Sequence, residues 1–244
     1  MAAAETLLEL RAVSLSLADR PVLGPLNLRI AAGDVVTLMG PSGSGKSSLL
    51  SFICGTLDPA FRASGQILLG GIDIRALPPE RRRVGILFQD DLLFPHLSVA
   101  DNLAFGLSSA GASRASRRTR VEAALGEADL AGFGDRDPGT LSGGQRARVA
   151  LMRTLLSEPH ALLLDEPFAK LDLSLRDRFR RFVFDHARAQ GLPTLLVTHD
   201  PADAEAARGP VVELTVPGEP AASRTEPEPG PTDRGLAVPK PARS

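Results

Sequence analysis

The chain has 244 residues, of which 43% are hydrophobic, so it can fill the core of one large domain or of two small ones. Its net charge of −1 provides no general basic field, which argues against nucleic acid or an anionic membrane surface as a partner. The single cysteine, Cys54, excludes an internal disulfide bond and fits a reducing compartment.

The N-terminal part of the sequence alternates between apolar and polar residues, which is typical of strands with one buried face. We predict strands over residues 7–17 and 22–30, joined by a turn at residues 19–21. A second turn at residues 32–34 leads into the apolar stretch 35–39, which predicts a third strand.

The third strand runs into a glycine-rich loop that matches the phosphate-binding pattern G-x-x-x-x-G-K-[ST], and an apolar helix start follows. Glycines let successive backbone N–H groups point into one concavity, and the helix dipole adds positive potential there. A plain Gly/Ser turn is the alternative, but the strand and the helix that the pattern requires are both in place. We expect Lys46 to reach the β- and γ-phosphates of a nucleotide and the Ser47 hydroxyl to hold Mg²⁺. The loop consists of Gly40, Pro41, Ser42, Gly43, Ser44, Gly45, Lys46 and Ser47.

Two further strands are predicted after this loop, over residues 65–71 and 84–88. The arginine run at residues 81–83 precedes the second of them. Because charge clusters usually lie on a solvated surface, we interpret this run as an exposed approach to the strand.

An inserted helical subdomain is predicted over about residues 90–140. Helical periodicity appears over residues 98–107 and 113–131, and Ser113 and Ser116 are alternative N-caps of the second helix.

The remaining part alternates between helices and apolar strands, which predicts a parallel sheet covered on both faces. We therefore predict an α/β fold: a P-loop NTPase core with a mostly parallel sheet, an N-terminal antiparallel β subdomain and an inserted α-helical subdomain. The apolar stripe on the long helix of this part is interpreted as core. The predicted elements are a helix at 143–156, a strand at 161–165, a helix at 174–190, a strand at 194–198, a helix at 201–208 and a strand at 211–216.

A second helix start offers backbone N–H groups to an anion. Ser142, Gly143, Gly144 and Gln145 open the helix 143–156, and their hydroxyl and amide groups can bind an anion at the positive end of its dipole. An ordinary N-cap with a flexible lead is the alternative.

Ionisable side chains follow two of the apolar strands, at the edge of a parallel sheet where ligands gather. Asp165 and Glu166 end one strand, and a strand buried on both faces does not normally end in paired acids. We expect Asp165 to hold Mg²⁺ through water and Glu166 to orient or deprotonate an attacking water. His199 follows the next strand; a lone histidine there is more often structural, but its position after the other motifs favours a site residue.

Taken together, these motifs resemble those of the ATP-binding cassette (ABC) ATPases over about residues 5–215. They occur in the order of that family, namely the loop 40–47, Gln89, the signature at 141–145, the acidic pair 165–166, Leu171-Asp172 and His199.

The resemblance implies ATP and Mg²⁺ as cofactors. It implies catalytic roles for Glu166, His199 and Gln89. Nucleotide contacts are implied for residues 40–47, Ser48, Ser142, Gly143, Gly144 and Gln145, and metal contacts for Ser47, Gln89 and Asp165.

The resemblance also implies partners. Two cassettes pair head to tail, and each ATP lies between the loop of one chain and Ser142-Gly143-Gly144 of the other, so that one chain alone is a poor ATPase. The stretch 85–99 is similar to cassettes of bacterial binding-protein-dependent importers, which serve iron(III), thiamine, polyamines, oxyanions and maltose. This implies transmembrane permease subunits, indirectly a substrate-binding protein, no nucleic acid, and a peripheral position on the cytoplasmic face of the inner membrane. Phe94 and Leu97 are candidates for the permease contact, and burial in the subdomain core is an equal alternative.

The sequence departs from the family pattern at several positions. Leu17 stands where the family usually has an aromatic residue that stacks on adenine, so we expect looser and less base-selective nucleotide binding. Ser48 replaces the usual threonine and keeps its hydroxyl. Lys170 stands where the family usually has a small polar residue, and the sequence does not explain this lysine. Residues 1–216 form the predicted ATPase domain. The Pro-rich stretch 217–244 is expected to be a disordered tail rather than a regulatory domain.

Other readings of the same motifs remain. A soluble cassette in DNA repair or translation is disfavoured, because about fifty residues rather than long coiled coils separate Gln89 from the signature. An exporter cassette stays open, since the partner sets the direction of transport. A non-hydrolysing regulatory nucleotide binder is disfavoured by Glu166 and His199. Residues 1–5 do not resemble a secretory signal, and no apolar run reaches the roughly 18 residues of a membrane span, so we expect any membrane crossing to belong to another chain.

Overall fold

The computed structural model describes residues 7–107 and 113–215, and the predicted tail 217–244 lies outside them. Within these ranges the chain forms two sheets and the helices that pack on them. In chain order the elements are β1 (Leu8–Leu17), β2 (Arg20–Ile30), β3 (Val35–Met39), α1 (Lys46–Cys54), β4 (Phe61–Leu69), β5 (Ile72–Asp73), β6 (Val84–Leu87), α2 (Val99–Gly106), α3 (Arg114–Glu127), α4 (Gly143–Leu156), β7 (Ala161–Asp165), α5 (Leu173–Ala189), β8 (Thr194–Val197), α6 (Pro201–Ala207) and β9 (Val211–Glu213).

The first sheet is antiparallel, with the strand order β2-β1-β4-β5, as the alternating pattern predicts. Its strand β4 begins at Phe61, before the predicted start at residue 65, because Gly65 lies inside the strand, opposite a bulge at Ala12 and Val13 of β1, and is not a strand end. Gly65 has φ +93°, and a Cβ there would lie 2.5 Å from the Ala12 carbonyl oxygen. The bulge therefore needs a glycine at this position.

The second sheet is parallel, with the strand order β6-β7-β8-β3-β9. Its central strands are apolar and buried on both faces, which is the pattern that helix-covered parallel sheets require. One face packs on α1 and the antiparallel sheet, and the other packs on α4 and α5. Because β3, β8, β7 and β6 are adjacent and parallel, the residues that follow them meet along one edge.

The predicted helical insertion corresponds to α2 and α3, which pack against α4. Ser113 is the N-cap of α3 and accepts a hydrogen bond from the Ser116 backbone, which decides between the two alternative caps. The helix ends at Glu127, short of residue 131. Its buried residues belong to the same apolar cluster as Val149 of α4, so the insertion shares its core with the parallel-sheet side.

Arg82 corrects the interpretation of the arginine run as solvated surface. Its side chain is buried, and its guanidinium donates to the carbonyl oxygens of Phe52 and Ile53 at the end of α1, and to those of Arg75 and Leu77. Arg81 and Arg83 are exposed, as expected. A sequence window cannot reveal this role, because two of the four acceptors lie about thirty residues earlier in the chain.

Among the helices of the described residues, none combines the length and the hydropathy needed to cross a lipid bilayer.

Candidate nucleotide-binding site

Two glycines give the loop 40–47 its shape. A Cβ on Gly40 would lie 2.6 Å from the Leu214 carbonyl oxygen, so only glycine fits against the strand end beyond β9. Gly45 is the N-cap of α1 with φ 84°, and a Cβ there would lie 3.1 Å from Val22 of β2. No side chain caps this helix start, so its N–H groups remain available to a ligand.

Lys46 points into this loop. Its buried ammonium donates to the carbonyl oxygens of Gly40 at 2.7 Å and Pro41 at 2.8 Å. The buried Ser44 hydroxyl donates to the same Pro41 oxygen at 2.9 Å. A full positive charge therefore lies in the concavity where the sequence predicts phosphate groups.

The magnesium candidates Ser47 and Asp165 are in contact across the sheet edge, because the Ser47 hydroxyl donates to the Asp165 carboxylate. Burial, followed by the charge of Glu166, raises the pKa of Asp165, while the hydrogen bond from Ser47 and the charge of Lys46 lower it. Two adjacent carboxylates next to a hydroxyl, one of them Asp165 with its raised pKa, are a donor set that suits a hard divalent cation. The residues present therefore fit Mg²⁺.

Glu166 and His199 lie together beside this pair. The distance from His199 Nδ1 to Glu166 Oε1 is 3.1 Å. Glu166 has φ +47°, a left-handed backbone conformation that is uncommon for glutamate, and its N–H donates to the Val197 carbonyl at the end of β8. The His199 side chain is 67% exposed, so it can contact both Glu166 and a ligand.

Gln89 follows β6 at the same edge of the sheet and is exposed. It lines a small cavity of about 100 Å³, together with residues of α4 and of the segment after β7. Its neighbour Asp90 forms an ion pair with Lys170, and Asp91 forms one with Arg146 of α4 at 2.7 Å. Lys170, for which the sequence offered no account, thus ties the segment after β7 to the segment after β6.

The residues of the signature lie elsewhere on the chain. Ser142 and Gln145 form a reciprocal capping box at the start of α4, and Gly144 packs against Leu175. They line a separate cleft of about 440 Å³ with Arg148 of α4 and with Leu175, Arg178 and Phe179 of α5. In the described parts of the chain, no hydrogen bond or ion pair joins Ser142–Gln145 to the loop 40–47.

Phe61 is a residue near the site that the sequence analysis missed. It is paired in register with Leu17 across β1 and β4, so the two side chains share one face of the antiparallel sheet. The sequence contains no signal for this pairing, because the register depends on the bulge opposite Gly65.

The comparisons with known proteins agree with this geometry. A family model described as ABC transporter matches residues 23–169. The chain is 50% identical over 194 residues to the uncharacterized ABC transporter ATP-binding protein YnjD of Escherichia coli K12, covering 80% of this chain and 89% of that protein.

Two relatives carry the names of import proteins. Identity is 45% to the spermidine/putrescine import ATP-binding protein PotA of Nitrosomonas europaea, over 81% of this chain and 54% of PotA. It is 43% to the Fe(3+) ions import ATP-binding protein FbpC of Agrobacterium fabrum, over 78% of this chain and 53% of FbpC. The chain spans about half the length of these two relatives.

Solved structures support the same assignment. Two dimeric structures of the bacterial ABC transporter cassette MJ0796, one of them a post-hydrolysis state with ADP and Pi, share the fold. For each, the TM-score is 0.71 at 30% sequence identity, over 85% of this chain and 94% of the other. The predicted α/β cassette fold is thereby confirmed, and the chain belongs to the ABC transporter family as an ATP-binding cassette.

Proposed function

We propose that this chain binds and hydrolyses ATP to power the import of a solute through a separate transmembrane permease. The observation that carries the proposal is the grouping of Lys46, Asp165, Glu166 and His199 at one edge of the parallel sheet. The import names of PotA and FbpC support the direction of transport.

In this proposal the loop 40–47 holds the phosphates of ATP. Backbone N–H groups at the start of α1 and the Lys46 ammonium bind the β- and γ-phosphate oxygens. The Ser47 and Ser48 hydroxyls lie in the first turn of α1, directly behind the loop. Ser47 and Asp165 hold Mg²⁺, with Gln89 as a further contact. The ion neutralises charge on the phosphates when it is bound.

Glu166 and His199 act on the water that attacks the γ-phosphorus. Glu166 accepts a proton from this water as its oxygen bonds to phosphorus, while the bond to the β–γ bridging oxygen breaks to give ADP and inorganic phosphate. The contact at 3.1 Å between His199 and Glu166 holds the carboxylate in one orientation. His199 is exposed enough to reach the γ-phosphate as well.

A second cassette completes the site. Ser142 and Gly143 are exposed, and Ser142 faces a cleft separate from the loop of its own chain, which supports a contact with the loop of another chain. The MJ0796 structures are dimeric, in agreement with this arrangement. We therefore propose a head-to-tail dimer with two ATP molecules between the chains, in which Gln145 also contributes.

The permease docks on a groove of about 550 Å³ between residues 90–95 and 137–139. Leu92 and Phe105 are exposed apolar residues of this region, and the half-buried Phe94 packs on Phe105 with ring centroids 4.6 Å apart. Asp90, Asp91 and Asp137 line the same groove together with Arg146, the ion-pair partner of Asp91, so we expect the docking helix to combine apolar and polar residues. The cassette then lies on the cytoplasmic face of the membrane, where the permease links it indirectly to a substrate-binding protein.

The test is purification of an N-terminally tagged Glu166→Gln variant from membranes of its host with MgATP, followed by mass spectrometry. Slow hydrolysis should keep the closed dimer and its partners together. The matched control adds Lys46→Ala, which removes the phosphate contact. We expect a polytopic permease and a substrate-binding protein with the first variant and not with the second. Recovery of ribosomal or DNA-associated proteins alone would contradict the transport role and leave the ATPase chemistry in place.

A further inference from the structure

Behind His199 lies a group of charged residues that none of the sequence motifs includes. This arginine–aspartate cluster consists of Arg176 and Arg180 of α5 with Asp200 and Asp203 at the start of α6. The Arg180 side chain is 8% exposed; its Nε donates to Asp203 Oδ1 at 2.7 Å and its Nη2 to Asp200 Oδ2 at 3.1 Å. Asp203 is 4% exposed, so the pair is largely desolvated.

Hydrogen bonds connect the cluster to the residues on both sides of His199. Thr198 is fully buried, and its hydroxyl donates to Asp203 Oδ2 at 2.5 Å. The same hydroxyl accepts a hydrogen bond from the Asp200 backbone N–H at 3.1 Å. His199 itself is largely exposed, and its side chain contacts Glu166. The position of its ring therefore depends on the residues on either side.

Arg176 extends the cluster to the segment after β7. Its Nη1 donates to Asp200 Oδ2 at 2.9 Å, and its Nη2 donates to the Leu171 carbonyl oxygen at 3.3 Å. The cluster thus joins three parts of the nucleotide edge: the segment that follows Glu166, the start of α5 and the residues around His199.

We propose that Arg180, Asp203 and Thr198 are positioning residues that fix His199 against Glu166, an inference that rests on the role proposed above for His199. Desolvating an arginine and an aspartate is costly, and a well-packed apolar pair of similar volume is often no less stable. A purely structural link between α5 and α6 does not need this cluster. The cluster is needed, however, to provide a rigid acceptor for the Thr198 hydroxyl. The charged Asp203 oxygen makes that hydrogen bond stronger than a neutral acceptor would.

Thr198→Val is the main test, because it removes the hydroxyl and keeps the volume. Thr198→Ser restores the hydroxyl. Asp177→Asn is the matched control, since Asp177 is an exposed partner of Arg180 on the same helix, α5. MgATP hydrolysis is measured on the purified full chain at concentrations that promote self-association, after thermal unfolding has shown that each variant is folded.

We expect Thr198→Val to lower kcat about tenfold with an unchanged KM, because binding uses the loop 40–47 while His199 acts on the chemical step. Thr198→Ser and Asp177→Asn should keep kcat within about twofold of the parent. In a His199→Ala background, Thr198→Val should have no further effect, since the residue through which it acts is gone.

A second readout follows the His199 ring directly. Its NMR resonance, identified by its loss in His199→Ala, should shift in Thr198→Val and stay in place in Asp177→Asn. An unchanged resonance and an unchanged kcat in Thr198→Val would overturn the inference, as would an equal loss of kcat with and without His199. If His199→Ala itself hydrolyses ATP at the parent rate, the proposed role of His199 fails, and this inference fails with it.

Discussion

Leu17 and Phe61 are paired across β1 and β4, with both side chains on the face of the antiparallel sheet that also carries the buried Leu15. Leu17 is 38% exposed beyond the end of this core, where the family resemblance places the base of the nucleotide. A leucine offers no π-face to a base, whereas the neighbouring Phe61 does. We therefore predict that this apolar surface accepts bases in general.

We expect comparable affinities for ATP and GTP, measured by fluorescence titration. Leu17→Tyr should tighten ATP binding by about tenfold, since stacking on an aromatic ring contributes about 1–3 kcal/mol. Phe61→Ala should weaken both nucleotides to a similar extent. Ser16→Tyr, on the opposite face of β1, is the control and should change neither affinity. A strong preference of the unmodified chain for ATP would contradict the prediction.

Asp165→Asn should stabilise the chain while it abolishes hydrolysis. Burial and the charge of Glu166 raise the pKa of Asp165, so the folded state binds this proton more tightly than the unfolded state does. The free energy of unfolding then falls as the pH rises through the window between the unfolded and the folded pKa. Removing the charge at neutral pH should raise the thermal midpoint by a few degrees in buffer without Mg²⁺ or nucleotide.

The control for this measurement is Glu80→Gln, which removes an exposed carboxylate and should leave the midpoint unchanged. Addition of Mg²⁺ and ATP should stabilise the parent chain and not Asp165→Asn, because the variant lacks the carboxylate that we propose as a ligand of the ion. A lower midpoint for Asp165→Asn in the absence of ligand would contradict the argument.

Arg82→Met should destabilise the fold by about 2–4 kcal/mol, because four buried or partly buried hydrogen bonds to carbonyl oxygens are lost at once. Urea unfolding followed by circular dichroism measures the change. Arg81→Met is a matched control of the same type one residue earlier, and it should be neutral within about 0.5 kcal/mol because Arg81 is exposed. Equal effects of the two substitutions would contradict the assigned role of Arg82.

Phe105→Glu should release the permease without loss of ATP binding. The Phe105 side chain is 68% exposed and packs on Phe94 next to the proposed groove, and a carboxylate there would interrupt the apolar surface that we propose for docking. Ile72→Glu is the control, since Ile72 is 65% exposed on β5 of the antiparallel sheet, outside the groove. In the Glu166→Gln purification, permease recovery should fall at least tenfold with Phe105→Glu and stay unchanged with Ile72→Glu. Equal recovery with both variants would exclude this docking face.

The parallel sheet and the residues along its edge could be predicted from the sequence for a physical reason. The burial of an apolar strand of four or five residues can be predicted from its own residues. Residues that follow parallel strands must meet at one edge of the sheet. The positions of Gln89, Asp165 and His199 follow from this rule without knowledge of any side-chain contact.

Long-range contacts account for what the sequence did not reveal. Arg82 reads as a surface charge because its acceptors at the end of α1 are remote in the chain. Lys170 and Asp90 are eighty residues apart, and their ion pair depends on the adjacency of β6 and β7. The pairing of Leu17 with Phe61 depends on a bulge. In each case the contacting residue is determined by tertiary packing or by strand register, which the local sequence pattern does not encode.

The close approach of Gly40 to the Leu214 carbonyl determines how far this functional unit extends. The family match ends at residue 169. The phosphate loop nevertheless packs at Gly40 against the Leu214 carbonyl, beyond the end of β9. The Leu214 N–H also donates to the Met39 carbonyl oxygen at 2.8 Å. A chain shortened before β9 would lose a side of its own binding site.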